Sequence, residues 1–278
     1  MEVHSLGLAT DLALIATRGR VVDRGPYLIT ATPDDPGYYY GNMLVLPAPP
    51  APGELAAALD LFAREVAVDP AIRHVTLCWD GVTGEAGPVD ELTAAGFAIE
   101  RTLVMTAAQV APAAAPRGIE LRPLAPDELA RAAELDFEIG DGRDEAYRQF
   151  LRRRAAWYRD LVARRTARFW GAFDDRTLVG SLGLVRLGAL GRYQDVKTAP
   201  SHRRRGIATA LLAAAARDAS TSGNGEANGE VIQQLVIATL SDSEAARVYE
   251  RAGFRAIERT VSACRAPALS GRAPALSG

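Results

Sequence analysis

A short arginine-rich turn carries the clearest chemical signal in the chain. Three consecutive arginines, Arg203 to Arg205, stand between Pro200 and Gly206, and an Ala- and Leu-rich helical pattern follows. The first N–H groups of a helix lack partners and carry partial positive charge. Glycine lets a phosphate approach the backbone closely, and guanidinium groups add charge-assisted hydrogen bonds. The turn is therefore predicted to cradle a pyrophosphate, with an ordinary turn of solvated arginines as the alternative.

Two sequence blocks resemble a known family. Arg203-x-x-Gly206-x-Ala208 resembles the Q/R-x-x-G-x-G/A acetyl-CoA motif of the GNAT superfamily of N-acetyltransferases, and residues 196–200 look like the fourth-strand segment before that motif. Residues 242–254, DSEAARVYERAGF, are similar to the family's N-x-x-A-x-x-x-Y-E-x-x-G-F signature, with Asp242 in place of the usual Asn. The blocks stand in the expected order with one predicted strand between them, and the resemblance covers about 118–263.

The resemblance implies acetyl-CoA (coenzyme A) as co-substrate and no metal. Backbone groups of Val196 and Thr198 are expected to pair with the amides of the pantetheine arm. The N–H groups from Arg204 to Ala208, with the nearby Thr209, are expected to receive the pyrophosphate. One of the arginines is expected at the 3′-phosphate. The full expected cofactor-binding set is Val196, Lys197, Thr198, Arg203, Arg204, Arg205, Gly206, Ile207, Ala208 and Thr209.

Two residues are predicted to be catalytic. Tyr249 stands where the family commonly places its general acid, and a phenol of pKa about 10 can give a proton to a departing thiolate. A tyrosine packed on the apolar face of its helix is the alternative. Asp195 is the nearest carboxylate by sequence and is predicted to be the general base that deprotonates the attacking amine, directly or through water. Strand alternation, which would point it away from the cleft, is the argument against this role.

A repeat links the two halves of the chain. Residues 95–102 read AGFAIERT and residues 252–260 read AGFRAIERT. Each copy follows a helical pattern and leads into a β-rich run, at a separation close to a domain length, which indicates a duplicated domain. The phosphate turn is not repeated, because residues 47–53 read PAPPAPG, and prolines lack N–H donors.

These patterns predict an α/β chain with two GNAT-like domains, each a mixed, mostly antiparallel twisted sheet flanked by helices. The predicted segments are a degenerate GNAT-like domain over 1–106, a linker over 107–118, an acetyl-CoA-binding GNAT domain over 119–264 and a repeated tail over 265–278 that is excluded from the fold. The predicted strands are 43–46, 74–79, 97–105, 119–124, 167–173, 178–185, 192–198, 231–240 and 254–263. The predicted helices are 53–66, 89–95, 125–165 with a break near 140–142, 205–219 and 242–252.

Composition limits the remaining function classes. The chain has 278 residues and a formal net charge of −2, so it lacks the basic excess of a nucleic-acid binder. No apolar run is long enough to span a membrane. Two cysteines, Cys78 and Cys264, fit a cytoplasmic protein better than a disulfide framework.

The function expected from the sequence is N-acetyl transfer from acetyl-CoA to a primary amine of a small molecule or peptide terminus, by direct attack. The alternatives are a catalytically silent CoA-binding sensor or interaction module and a tandem acyltransferase similar to mycothiol synthase. The expected partners are acetyl-CoA and a small amine acceptor, without nucleic acid or membrane, in a monomer or homodimer. The identity of the acceptor stays open, because acceptor residues in this fold come from loops with no fixed motif.

Overall fold

The computed structural model describes residues 1–140, 144–221 and 231–267. Most of the repeated tail and part of the predicted helix break lie outside the described residues. In chain order, the helices are α1 (Leu6–Ala16), α2 (Leu55–Glu65), α3 (Val89–Ala94), α4 (Leu129–Ile139), α5 (Glu145–Ala163), α6 (Ile207–Thr221) and α7 (Glu244–Arg251). The strands are β1 (Arg20–Asp23), β2 (Leu28–Ala31), β3 (Leu44–Leu46), β4 (Val75–Trp79), β5 (Ala98–Ala107), β6 (Ile119–Pro123), β7 (Ala167–Asp174), β8 (Thr177–Leu187), β9 (Leu190–Thr198), β10 (Gln234–Leu240) and β11 (Arg255–Arg265).

The chain divides into two compact units. The first unit contains Met1–Val104 and the strand residues from Ile257 onward, and the second contains Met105–Ala256. The sheet of the first unit has the strand order β1-β2-β3-β4-β11-β5. In it β11 runs antiparallel to β4, with Ala263 opposite Leu77. The sequence prediction placed this last strand in the second domain; the structure places most of it in the first unit, where it fills the position between β4 and β5.

The second unit is a mixed sheet in the order β10-β9-β8-β7-β6. Strands β6 to β9 are joined in antiparallel pairs, while β10 runs parallel to β9. Parallel neighbours need a crossover connection, and α6 supplies it. Helices α4 and α5 pack on β8 and β7, and α6 packs on β7, β8 and β9. The observed architecture confirms the predicted α/β class with a mixed sheet flanked by helices.

Helix α6 forms where the sequence predicts it. Its interior is free of Gly and Pro and rich in Ala and Leu, which have high helix propensity. Ile207, Ala210, Leu211 and Leu212 are at most 1% exposed and form the face that packs on the sheet. This packing holds the start of the helix, at Ile207, directly after the arginine-rich turn.

Local signals were weaker at the start of the chain, where α1, β1 and β2 were not predicted. Helix α1 is almost wholly apolar. Ser5 caps it locally by accepting from the Leu8 N–H at 3.1 Å, and a further acceptor comes from far along the chain. Glu258 of β11 accepts hydrogen bonds from the Leu6 N–H at 2.8 Å, the Gly7 N–H at 3.1 Å and the Ser5 hydroxyl at 2.8 Å. This carboxylate satisfies donors at the positive end of the helix.

Candidate active site

A cleft opens between β9 and β10 of the second unit. Strands β9 and β10 pair over only three residues, the last pair being Arg192 opposite Val236. Strand β9 nevertheless continues to Thr198 and β10 to Leu240. The Ala199 N–H donates to the Val179 carbonyl of β8 at 2.8 Å. Because backbone groups alternate in direction along a strand, those of Thr198 point away from β8, into the opening.

A β-bulge lies in β9 at the start of this opening. Lys197 pairs with Ser181 of β8, whereas Gln194 pairs with Gly183. Two residues of β9, Asp195 and Val196, therefore lie opposite one residue of β8. Asp195 adopts the left-handed region at φ +52°, which fits an antiparallel bulge. The extra residue of the bulge changes which backbone groups of the following segment face the cleft, because it moves the alternation of the strand by one residue.

The arginine-rich turn closes one end of this segment. Pro200–His202 form one turn of 3₁₀ helix, and Arg204 and Gly206 both adopt left-handed backbone, at φ +62° and +83°. The first α-helical bond runs from the Ala210 N–H to the Gly206 carbonyl at 3.0 Å. The N–H groups at the start of α6 are therefore not used by the helix and lie beside exposed arginines, a suitable arrangement for an anion.

The three arginines of the turn differ in their contacts. Arg203 donates from Nε to the Thr198 carbonyl at 3.3 Å. A guanidinium nitrogen of Arg205 lies 3.9 Å from the carboxylate of Asp174. His202 Nε2 lies 2.9 Å from the same carboxylate. Asp174, at the end of β7, thus anchors the turn, a function that sequence reasoning did not assign to it.

Tyr249 lies in the interior of the second unit. Only 1% of it is exposed, and its ring meets Phe254 edge-on with centroids 6.3 Å apart. Burial raises the pKa of the phenol well above its ordinary value, and the nearby Arg192 partly offsets this rise. The phenol is therefore neutral at ordinary pH, and the arginine that interacts with it is the residue where the pairing of β9 with β10 ends.

The other predicted site residues fall into two groups. Ile207 is 1% exposed and packs in the core, so only its backbone is available to a ligand, while Val196, Ala208 and Thr209 are half-buried. Asp195 and Lys197 instead belong to a buried set of charges. Asp195 lies 3.2 Å from Arg154 and 3.4 Å from Lys197. Both contacts are made to Oδ1 of the carboxylate, which is largely buried. Its assignment as the base stays a prediction.

The first unit contains a turn that corresponds to the arginine-rich turn, but a side chain of the chain occupies its N–H group. Gly53 stands two residues before α2 with φ +84°, matching Gly206 in conformation. Its N–H donates to both carboxylate oxygens of Glu91, at 2.9 and 3.1 Å. Strands β3 and β4 pair along all three residues of β3, from Leu44 to Leu46. The Glu91 carboxylate thus occupies the position where an anionic ligand would bind at this turn. Strand β3 also stays paired with β4 to its end, so these two strands do not part as β9 and β10 do.

Within residues 1–140, 144–221 and 231–267, no cluster of three or more His, Cys, Asp or Glu side chains is arranged to hold a metal ion. None of the helices in the same ranges has both the length and the apolar character needed to cross a membrane.

Comparison with known proteins agrees with this geometry. Residues 165–256 match the family model for the acetyltransferase (GNAT) domain, and a search of curated proteins finds no match. A GCN5-related N-acetyltransferase from Kribbella flavida has 17% identity and a TM-score of 0.64, with 95% of this chain and 96% of that chain covered. A functionally unknown conserved protein from Staphylococcus epidermidis has 11% identity and a TM-score of 0.69, covering 89% and 94%. A tandem GNAT protein from the clavulanic acid biosynthesis pathway has 19% identity and a TM-score of 0.52, covering 76% and 70%.

At these identities the solved structures show a shared fold, and the family match lies in the part of the second unit that carries the cleft and the turn. This part of the second unit is therefore an acetyltransferase (GNAT) domain, as the two sequence blocks predicted.

Proposed function

We propose that the second unit transfers an acetyl group from acetyl-CoA to a primary amine of a small molecule or a peptide terminus. The observation that carries the proposal is the cleft beside β9. The strand leaves β10 after Arg192, and the turn ending at Gly206 presents unused N–H groups and arginines at the far end of the same segment. A long cofactor fits this arrangement, because its anionic head would meet the N–H groups and arginines of the turn and its amide-containing arm would meet the backbone of β9.

Each part of the cofactor has a candidate partner in the proposal. The pyrophosphate lies on the N–H groups from Arg204 to Thr209, assisted by guanidinium groups. The pantetheine amides pair with the backbone groups of Val196 and Thr198 on the side of β9 that faces away from β8. The thioester then lies toward the vertex of the cleft, near Tyr249.

The chemistry follows from this placement. The neutral amine nitrogen attacks the thioester carbonyl carbon, a C–N bond forms, and the C–S bond breaks. The departing thiolate takes a proton from the Tyr249 hydroxyl, or accepts a hydrogen bond from it, and the new amide loses its extra proton to water or a carboxylate. The raised pKa of Tyr249 keeps the phenol protonated at neutral pH, which is the form that donates.

Titration calorimetry with acetyl-CoA tests the binding half of the proposal. Gly206→Asp places a carboxylate among the phosphate-binding groups, where like-charge repulsion at about 4 Å amounts to roughly 1–4 kcal/mol; we expect at least a tenfold weaker affinity. Gly118→Asp is the matched control, because Gly118 has φ +80° and, like Gly206, open space at its Cβ position. No binding by the wild type, or equal affinities for both variants, refutes the proposed site.

Release of free thiol from acetyl-CoA with a panel of amines tests the catalytic half. The alternative is a CoA-binding module without chemistry, which the deep burial of Tyr249 favours. Turnover with any acceptor excludes that alternative. Tight binding of acetyl-CoA without turnover on small-molecule and peptide amines supports it.

A further inference from the structure

A closed ring of four buried charges lies beside the bulge of β9. Asp136 of α4 contacts both Arg154 of α5 and Lys197 of β9. Asp195 contacts the same two cations, at 3.2 Å and 3.4 Å. Each acid therefore contacts each base, and the ring is electrically balanced. The Tyr147 hydroxyl completes it at 3.5 Å from Asp136.

Burying four charges costs desolvation free energy, and the ion pairs within the ring offset this cost. The four side chains are only 7–13% exposed, and unpaired charges at such depth are strongly unfavourable. Burial alone would raise the pKa of Asp136, yet Lys197 and Arg154 outweigh it and hold that pKa below its ordinary value. Lys197 is the only lysine of the chain. Removing any one member leaves an uncompensated charge on the others.

One member of the ring, Asp195, is a residue of the bulge, and another, Lys197, directly follows the bulge. Asp195 holds the left-handed φ of +52°, and Lys197 is the first residue after the bulge to pair with β8 again. A non-glycine residue keeps such a conformation when its surroundings over-determine it. The ion pairs from α4 and α5 provide that restraint.

We infer that Asp136, Arg154, Asp195 and Lys197 are positioning residues that lock the bulge of β9 and thereby aim the backbone of Val196 and Thr198 into the cofactor cleft. The inference rests on the proposed function. The physical reason is register: a strand that loses its extra residue shifts by one, which turns each following backbone group to the opposite side. Without the bulge, the groups that now face the cleft would face β8.

Four variants test the inference. Lys197→Met removes one cation at similar length, and Asp195→Asn removes one anion while keeping a residue that tolerates left-handed backbone. Lys197→Arg keeps a cation able to bridge both acids. The double variant Asp136→Asn/Lys197→Met restores neutrality and leaves the pair of Asp195 with Arg154 intact. The control is Arg164→Met, which breaks an exposed ion pair with Asp160 just after α5.

Acetyl-CoA affinity and steady-state kinetics are the first readouts. We expect Lys197→Met and Asp195→Asn to raise the dissociation constant for acetyl-CoA at least tenfold, with the shape of the pH profile of kcat unchanged. Lys197→Arg recovers most of this affinity, the neutral double variant recovers part of it, and Arg164→Met binds like the wild type. Wild-type affinity in all ring variants, with only lower thermal stability, overturns the inference. So does an Asp195→Asn variant that binds normally but loses turnover and one limb of the pH profile, because Asp195 is then a base.

Hydrogen exchange of the backbone amides at 194–199 is the second readout and needs no cofactor. We expect faster exchange there in Lys197→Met than in Arg164→Met, measured on folded protein. If the wild type fails to bind acetyl-CoA, the proposed function is refuted, while the exchange data still decide whether the ring holds the bulge. Unchanged exchange at 194–199 overturns the ring hypothesis.

Discussion

Gly206 and Gly53 allow the phosphate turn to be tested against an internal control. Both follow a strand that has a parallel neighbour and stand at the start of a helix, and their φ angles are +83° and +84°. A Cβ at either position meets no atom within 4 Å. Alanine at each position therefore brings the same backbone penalty and no steric clash. The two variants differ in the partner of the turn, which is Glu91 at Gly53 and the expected phosphate at Gly206.

The expected magnitudes follow from these observations. An L-residue in left-handed backbone costs roughly 1–2 kcal/mol, so both variants should lose at least about that much unfolding free energy and several degrees of Tm, and Gly53→Ala also weakens the contact with Glu91. Only Gly206→Ala should also lose affinity for acetyl-CoA, because relaxation of φ turns an N–H group away from the pyrophosphate. One hydrogen bond to a charged group is worth about 1.5–3 kcal/mol, which corresponds to roughly a 10- to 150-fold weaker affinity.

The assay combines thermal unfolding with titration calorimetry on both variants. A lower Tm in both variants together with weaker binding in Gly206→Ala alone supports the assignment. If the two variants bind acetyl-CoA equally well, the N–H groups at Gly206 do not hold the phosphates. A large loss of affinity in Gly53→Ala would instead place a functional site in the first unit.

Three further predictions concern single groups. Tyr249→Phe keeps the buried ring but removes the donor, and we expect kcat to fall about 100-fold with the affinity for acetyl-CoA unchanged; an undiminished kcat would exclude Tyr249 as the acid. Burial lowers the pKa of His74 from 6.5 to about 4, so the unfolded chain binds more protons between these values. Stability should therefore fall as the pH drops through that window, by up to roughly 3 kcal/mol, and urea unfolding of His74→Gln should show a shallower dependence. Glu258→Gln weakens the cap of α1 and should lower unfolding stability by about 1–2 kcal/mol, without changing acetyl-CoA binding.

Much of the second unit was predictable because its signals are local. The turn before α6, the apolar face of that helix and the block 242–254 are each encoded in fewer than twenty consecutive residues. Helix periodicity, β-branched runs and glycine positions report such structure directly. The family match over 165–256 covers both blocks.

The contacts between side chains at the site were harder to predict from the sequence. Asp136 and Arg154 lie more than forty residues before Lys197 in the chain, and no periodic pattern marks them as partners. Asp174 was missed for the same reason, since its contact with His202 joins a strand end to a distant turn. The first unit was harder still, because two N–H groups at the start of α1 donate to Glu258 at the other end of the chain.

The sequence by itself determined that one half of the chain carries a phosphate-type turn and the other half does not, since arginines, prolines and a helix start are local properties. Only the tertiary structure decided how far β9 stays paired with β10, and that Glu91 closes the corresponding turn of the first unit. It also decided that Asp195, a predicted base, lies between two cations. Strand register and buried ion pairs depend on which distant segments pack together, and that is settled by the folded core as a whole.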